Sequence, residues 1–368
     1  MLALTRKSEP KTNEPAPLQN LPMKVIDQWP YLILTIWLAV PGYLDSRAQP
    51  NGSTKPRQAY RTESAATVPL PSLANQLAFT RDSTLSGINS DGTCEQAIPP
   101  AINVCGKASW SSDGAYLTVA DEANGGTDIF ILPLDDDGAP MGRYNMTRSP
   151  DIQESSPAWS PDRHTVAYSA VRSDNWGIYV MEVELFADYR DPMILGDRRV
   201  SQHAQSLRYK GDPAWSPDGA RLSYTSDVGT RWQITTVAPY RPETLSQPGT
   251  EVPLAGTNYS SSAVTPCWSP DGSRLVFTAN PNSNWDLFIV DGDGASLRPL
   301  TTHSADDRHP AWSPDGGWIA FTSNRSGNSD IYLITADGAS IAQLTVSPSS
   351  EDFAAWLPLR PSGDPASP

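Results

Sequence analysis

The sequence is poor in the residue types that most often carry metal and nucleophilic chemistry. It has four histidines and three cysteines among its 368 residues. No Cys-x-x-Cys pair and no cysteine–histidine cluster is present, so the spacing of a zinc site is missing. No Gly-x-Ser-x-Gly motif is present either, so the nucleophile elbow of the α/β-hydrolases is absent. The sequence therefore indicates no cofactor and argues against these two enzyme classes.

Basic residues are scarce beyond residue 61. Residues 62–368 contain 19 Lys and Arg against 37 Asp and Glu, a charge of −18, and residues 1–61 contribute +4 to the total of −14. Nucleic-acid binding needs a basic face, so this balance argues against a nucleic-acid partner. An acidic surface keeps a protein soluble and attracts basic partners.

Long apolar stretches are also lacking. The longest one, residues 29–44, has 16 residues, whereas a membrane-spanning helix needs about 20. It follows a polar tail of residues 1–28 and is followed by small residues at positions 46–48, which is typical of an export signal. An uncleaved membrane anchor is the alternative. We therefore expect an exported protein, periplasmic or extracellular, or one tethered to the outer face of the cytoplasmic membrane.

Two segments rich in small and polar residues flank the rest of the chain. Residues 45–76 are rich in Pro, Ser, Thr, Ala and Arg, and residues 360–368 are similar in composition. Such sequences cannot bury enough apolar surface to fold, so we expect a disordered linker and a disordered tail. The folded domain is predicted to span residues 77–359.

Tryptophan and proline are abundant, with 12 and 35 residues, and the tryptophans recur in a fixed motif. Trp-Ser-Pro-Asp-Gly or a close variant begins at five positions, and a sixth tryptophan lies in the same phase. These residues are Trp110, Trp159, Trp215, Trp268, Trp312 and Trp356. Their spacing of about 44 to 56 residues is typical of propeller blades rather than of helical solenoids. At a fixed phase, the large rings are suited to packing between blades.

Each repeat predicts four short strands, with the Ser-Pro-Asp-Gly segment as a tight turn between the first two. The fold class is thus all-β, with four-stranded antiparallel blades. Residues 77–80 resemble a second strand without a first, and Trp356 ends a first strand without a second. The C-terminal strand therefore completes the first blade, which makes six blades. A seventh blade would need a further repeat that the sequence does not contain.

Two repeats depart from the motif. Ser112 replaces the proline of the first turn, and Arg163 replaces the glycine of the second. An arginine at positive φ costs on the order of 1 kcal/mol, so we expect the turn at Arg163 to adopt another shape.

On these repeats the chain resembles the TolB family of bacterial periplasmic proteins over about residues 77–358. The resemblance implies a six-bladed propeller with an axial channel whose mouth loops bind peptides or proteins, and it implies export. TolB proteins carry an α/β domain before the propeller, and the sequence of residues 1–76 does not resemble one. Prolyl oligopeptidase relatives have similar propellers but add a hydrolase domain, for which this chain has no room.

Charged residues just before the repeat tryptophans are the candidate binding residues. Segments leading into first strands should reach the channel mouth, and they carry Glu154, Asp212, Asp307, Arg308, His309 and Asp352. Such an acidic ring with a histidine is suited to binding a cation or a basic peptide end. Solvated loop residues are the alternative interpretation. Trp176 and Trp285, before third strands, are either stacking platforms or blade packing.

Two functional hypotheses remain. The first is a non-enzymatic, monomeric binding protein of the cell envelope that holds a protein or peptide at the channel mouth. The second is a metal-assisted lyase or hydrolase that acts there on a polysaccharide or peptide. Cys94 and Cys105 flank a proline-rich loop, and a disulfide between them is predicted if the compartment is oxidising.

Overall fold

A computed structural model describes residues 76–98, 104–123, 125–135, 140–173, 175–185, 193–199, 208–229, 231–237, 251–254 and 262–358. The tail, apolar segment and linker predicted before residue 76, and the tail predicted after residue 359, lie outside these ranges. Within them every regular element is a β-strand. Accordingly, this part of the chain contains no helix of the length and hydropathy needed to span a membrane.

The strands form six sheets of four strands each, which confirms the predicted six-bladed propeller. We number the blades along the chain, and within each blade the first strand given is the innermost. Blade 1 has β24 (Glu351–Trp356), β1 (Gln76–Arg81), β2 (Thr84–Asn89) and β3 (Gln96–Ala97); blade 2 has β4 (Ser109–Trp110), β5 (Tyr116–Ala123), β6 (Gly126–Pro133) and β7 (Tyr144–Asn145); blade 3 has β8 (Glu154–Trp159), β9 (Thr165–Arg172), β10 (Asn175–Glu184) and β11 (Met193–Arg199). Blade 4 has β12 (Lys210–Trp215), β13 (Leu222–Asp227), β14 (Trp232–Val237) and β15 (Glu251–Pro253); blade 5 has β16 (Ala263–Trp268), β17 (Arg274–Ala279), β18 (Asp286–Asp291) and β19 (Arg298–Pro299); blade 6 has β20 (Asp307–Trp312), β21 (Trp318–Ser323), β22 (Asp330–Thr335) and β23 (Ile341–Gln343).

The C-terminal strand closes the ring, as the sequence predicts. Strand β24 pairs antiparallel with β1, with Trp356 opposite Leu77 and Glu351 opposite Arg81. The innermost strands contact one another in an unbroken cycle, β4-β8-β12-β16-β20-β24 and back to β4. The first and last strands of the propeller therefore share one sheet, and no blade stands at an open end.

The turn after each repeat tryptophan is built by its serine and aspartate. In blade 4 the Gly219 N–H donates to the Ser216 carbonyl at 2.8 Å, and the Ser216 hydroxyl donates to Asp218. The glycine takes a φ of 68°. Arg163, in the same position of blade 3, has a φ of 64° and donates its N–H to the Ser160 carbonyl. The expectation that Arg163 changes the turn is wrong, because the turn hydrogen bonds hold the arginine in the glycine conformation.

The repeat tryptophans lie between blades. Six apolar clusters of the described residues each join two neighbouring blades, and each cluster includes or contacts one of these tryptophans. The indole N–H of Trp215 donates to the Ala158 carbonyl of the preceding blade at 3.1 Å. Trp110 and Trp356 make the equivalent bond to Ala355 and Ala311. The tryptophans are thus part of the scaffold, and they set the geometry of the channel that the innermost strands surround.

Candidate functional site

The innermost strands carry an irregularity at a constant place, three residues before the repeat tryptophan. In five blades the strand register shifts around this position, as between Gly211 and Ala214 in blade 4. The residue there has a φ of 52° or 53°, in the left-handed region that non-glycine residues rarely adopt. A β-bulge of this kind bends the strand and re-aims one side chain.

We call the residues three before each repeat tryptophan the inner ring. They are Lys107, Ser156, Asp212, Thr265, His309 and Phe353. All except Ser156 line a cavity of about 440 Å³. That volume lies within the range of about 300 to 1,000 Å³ found for ligand pockets.

The remainder of the cavity wall is formed mainly by small and apolar residues, together with five of the six repeat tryptophans. The positions between the inner ring and the tryptophans carry mainly alanine and proline, with Ser109 and Cys267. Two residues after each tryptophan lies what we call the collar, formed by Ser112, Pro161, Pro217, Pro270, Pro314 and Pro358. Among the described residues that line the cavity, the lysine, arginine, histidine, aspartate and glutamate side chains are three of the inner ring, Lys107, Asp212 and His309.

Asp212 is buried and held in place by hydroxyl groups. Its carboxylate accepts hydrogen bonds from Ser156 and Thr225, both at 3.1 Å. The Thr225 hydroxyl in turn accepts the backbone N–H of Thr265 at 3.1 Å. Three neighbouring inner-ring residues are thus linked through one carboxylate, which fixes the shape of this side of the channel.

Lys107 reaches across the channel. Its ammonium group, from blade 2, donates to the Pro213 carbonyl of blade 4 at 2.9 Å. Burial lowers the pKa of Lys107, and Asp212 and Cys267 oppose that effect. The ammonium group therefore lies within the cavity, facing residues of blades 4 and 5.

The side chain of His309 is another polar member of the inner ring. Its Nδ1 is hydrogen-bonded to Asp352, and its ring stacks on Phe353 at a centroid distance of 4.1 Å. Burial alone would raise the pKa of Asp352, but His309 and the hydroxyl of Thr322 lower it below its ordinary value. Asp352 is thus a carboxylate that orients the histidine.

The structure separates the charged residues that the sequence analysis grouped together. Glu154 and Asp307 begin their strands, Asp352 is the second residue of β24, and Asp212 is the third residue of β12. Of the six, only Asp212 and His309 line the cavity. Arg308 lies outside it and stacks on Trp285 at 4.8 Å, so Trp285 packs against a neighbouring blade.

Glu154 and Asp307 are fully buried and face arginines of their own blades. Both oxygens of Asp307 accept hydrogen bonds from Arg325 at 2.8 Å. Arg172 approaches Glu154 less closely, at 3.4 Å. Burial raises the pKa of Glu154 to about 7, against the opposing effects of Thr147 and Arg172.

Glu351, which the sequence analysis missed, is the residue of blade 1 equivalent to Glu154 and Asp307. It begins β24, is fully buried and is paired with Arg81. Burial raises its pKa, while Thr345 and Arg81 lower it. A constant offset of five residues before the repeat tryptophan would have identified it.

Cys94, Cys105 and Trp176 do not line the cavity, whereas Cys267 does. Cys94, Cys105 and Cys267 are free thiols, and the pairing of Cys94 with Cys105 stays a prediction. Trp176 packs edge-on against Tyr209, with ring centroids 4.9 Å apart, which favours its interpretation as blade packing. In the part of the chain that the structure describes, no three His, Cys, Asp or Glu residues are grouped to hold a metal ion.

Comparison with known sequences points to one kind of propeller. Residues 249–361 match the family described as the TolB beta propeller domain. The Tol-Pal system protein TolB of two strains of Anaeromyxobacter dehalogenans, 2CP-1 and 2CP-C, is 35% and 34% identical to this chain over 95 residues. That alignment covers 26% of this chain and 20% of each relative, so the chain matches about one fifth of the relatives' length.

Solved structures show the same architecture. TolB from Acinetobacter baumannii has a TM-score of 0.62 at 19% identity, covering 78% of this chain and 68% of that one. Hydrazine synthase of Kuenenia stuttgartiensis has a TM-score of 0.60 at 13% identity, with coverages of 79% and 47%. Because unrelated functions share this fold, the structural similarity establishes the architecture alone. Together with the sequence match, it confirms the resemblance to TolB: the described part of the chain forms a TolB-like six-bladed propeller.

Proposed function

We propose that this chain is a non-catalytic binding protein of the cell envelope, which holds a segment of a protein partner in the axial channel. The observation that carries the proposal is the cavity of about 440 Å³ on the propeller axis, bordered by the inner ring. A pocket of this size with small apolar walls and a few fixed polar groups is typical of a binding site.

The architecture supports a site for a slender, extended ligand. Strand bulges orient inner-ring side chains toward the axis from separate blades, so a ligand there is contacted from several sides at once. The alanines and prolines of the wall leave room for a chain without bulky side chains. Asp212 and His309, two of the residues predicted from the sequence, remain in this proposal, and Asp352 orients His309.

Two observations support a location in the envelope. The sequence relatives are named as components of the Tol-Pal system, and the apolar segment of residues 29–44 is typical of an export signal. We expect this segment to direct export, with cleavage or retention as a tether both open.

Photo-crosslinking from inside the channel tests the proposal. Phe353 lines the cavity and is aromatic, so p-benzoylphenylalanine keeps its phenyl ring and adds a photoreactive benzoyl group at the para position. Ile341, which is 44% exposed on the outermost strand of blade 6, provides the matched position outside the channel. The full-length chain is incubated with an envelope extract of its source organism and irradiated.

We expect one protein to be crosslinked at position 353 and not at position 341, with the crosslink mapping to one short segment of that protein. Crosslinking to the same protein at both positions would place the contact outside the channel. Failure to crosslink any protein at position 353 would contradict the proposal.

A further inference from the structure

Lys107 is a basic side chain inside the channel, and it forms no ion pair with a carboxylate of the described residues. Its one hydrogen bond among the residues that the structure describes is to the Pro213 carbonyl. The carboxylate that attracts it, Asp212, already accepts hydrogen bonds from Ser156 and Thr225. An ammonium group has three N–H donors, so two of them can serve a ligand.

The surroundings of Lys107 make an anionic ligand favourable. A buried charge is costly unless it is paired, and burial lowers the pKa of this lysine. The far wall of the channel carries Cys267, a neutral thiol whose pKa is itself raised by burial. A carboxylate entering the cavity would neutralise Lys107 without displacing an existing ion pair, and its hydrogen bond to an ammonium group would be charge-assisted.

We infer that the channel recognises a peptide segment by a carboxylate that pairs with Lys107. This inference rests on the proposed function and names the chemistry of its ligand. The carboxylate belongs either to the C-terminus of the segment or to an Asp or Glu side chain, because both present the same two oxygens. The acidic residues in the sequence predict a positively charged ligand, whereas this inference names a negatively charged one. The reason is that Glu154 and Asp307 face arginines, while Lys107 faces the cavity.

Three short probes distinguish the sources of the carboxylate. They are N-acetyl-trialanine as the free acid, the same peptide as the amide, and N-acetyl-Ala-Asp-Ala amide. Each is titrated into the full-length chain carrying ¹³Cε-labelled lysine, and the Lys107 resonance is followed by NMR. Lys210, which is paired with Glu251 in the blade 4 sheet, gives an internal control resonance in the same spectra.

We expect at least one carboxylate probe to bind about tenfold or more tightly than the trialanine amide, which is the effect of one charge-assisted hydrogen bond. Binding should shift the Lys107 resonance and raise the pKa of Lys107, while the Lys210 resonance stays in place. Preference for the free acid indicates a C-terminal carboxylate, and preference for the aspartyl peptide indicates a side chain.

Lys107→Met keeps the length of the side chain and removes the charge, and its Lys210 resonance reports whether the variant is folded. We expect this variant to bind acid and amide equally. Equal binding of acid and amide by the unmodified chain, a retained preference in Lys107→Met, or no binding of either carboxylate probe would overturn the inference. The proposed function is judged separately, because crosslinking at position 353 does not depend on the charge of the partner.

Discussion

Trp356 makes a hydrogen bond across the junction that closes the ring. Its contribution to stability can be measured by comparison with Trp312, whose indole N–H has no partner among the described residues. The indole N–H of Trp356 donates to the Ala311 carbonyl of blade 6 at 2.9 Å. Trp312, at the equivalent place between blades 5 and 6, is buried with no partner for its N–H among the described residues. Both side chains are 6% exposed, so replacing either by phenylalanine removes a similar amount of buried surface.

The two substitutions should therefore differ mainly in hydrogen bonding. Trp356→Phe loses a bond worth about 0.5 to 1.5 kcal/mol, whereas Trp312→Phe removes a buried donor whose burial costs about 1 to 3 kcal/mol. The loss of packing is common to both. We expect Trp356→Phe to be less stable than Trp312→Phe by at least about 1 kcal/mol, or by about 2 to 4 °C in melting temperature.

Thermal unfolding of the two variants, followed by far-ultraviolet circular dichroism, checks this difference. That signal reports the strands and is less affected by the loss of one indole than tryptophan fluorescence is. Equal melting temperatures, or a lower one for Trp312→Phe, would refute the claim that the Trp356 hydrogen bond stabilises the junction between blades 1 and 6.

Two further predictions concern strain and buried charge. Arg163→Gly should stabilise the fold by up to about 1 kcal/mol, since it relieves a φ of 64° and loses only an exposed ion pair with Asp113; a melting temperature below that of the unmodified chain would contradict this. Because the pKa of Glu154 is raised to about 7, its protonated form stabilises the fold below its ordinary value of 4.5, and that contribution is lost as the pH rises through 7. The stability of Glu154→Gln relative to the unmodified chain should therefore rise by on the order of 2 kcal/mol when the pH is raised from 5 to 8. Asp307→Asn leaves Arg325 without its carboxylate, so this variant should be less stable than the unmodified chain at both pH values. Urea unfolding at both pH values measures these differences, and a constant offset for Glu154→Gln would show that its carboxyl group titrates normally.

The blades could be predicted from the sequence because their signal is local and repeated. Each turn uses a serine, an aspartate and a residue at positive φ within four positions, and each tryptophan fills the junction with the preceding blade. The closing strand followed from the unmatched halves at residues 77–80 and Trp356. Only the turn at Arg163 was mispredicted, because hydrogen bonding outweighed the cost of its backbone conformation.

The site could be predicted only in part, because its residues share a position and not a residue type. The inner ring holds a lysine, a serine, an aspartate, a threonine, a histidine and a phenylalanine. The bulge at five of these six positions occurs without the glycine or asparagine that would signal positive φ. Glu154 and Asp307 were chosen because they are acidic, but each faces an arginine that lies 18 residues further along the chain. Lys107 went unnoticed because its path across the channel depends on the closure of the ring.

Blocking the channel shows whether a partner segment occupies it. Ala355 lines the cavity, and Ala355→Phe would place a ring in it while keeping the backbone carbonyl that accepts the Trp110 indole. Calorimetric titration with the segment crosslinked at position 353 gives the affinity, and an unchanged melting temperature shows that the fold is intact. We expect Ala355→Phe to weaken the affinity for the segment at least about tenfold. An affinity equal to that of the unmodified chain would contradict it.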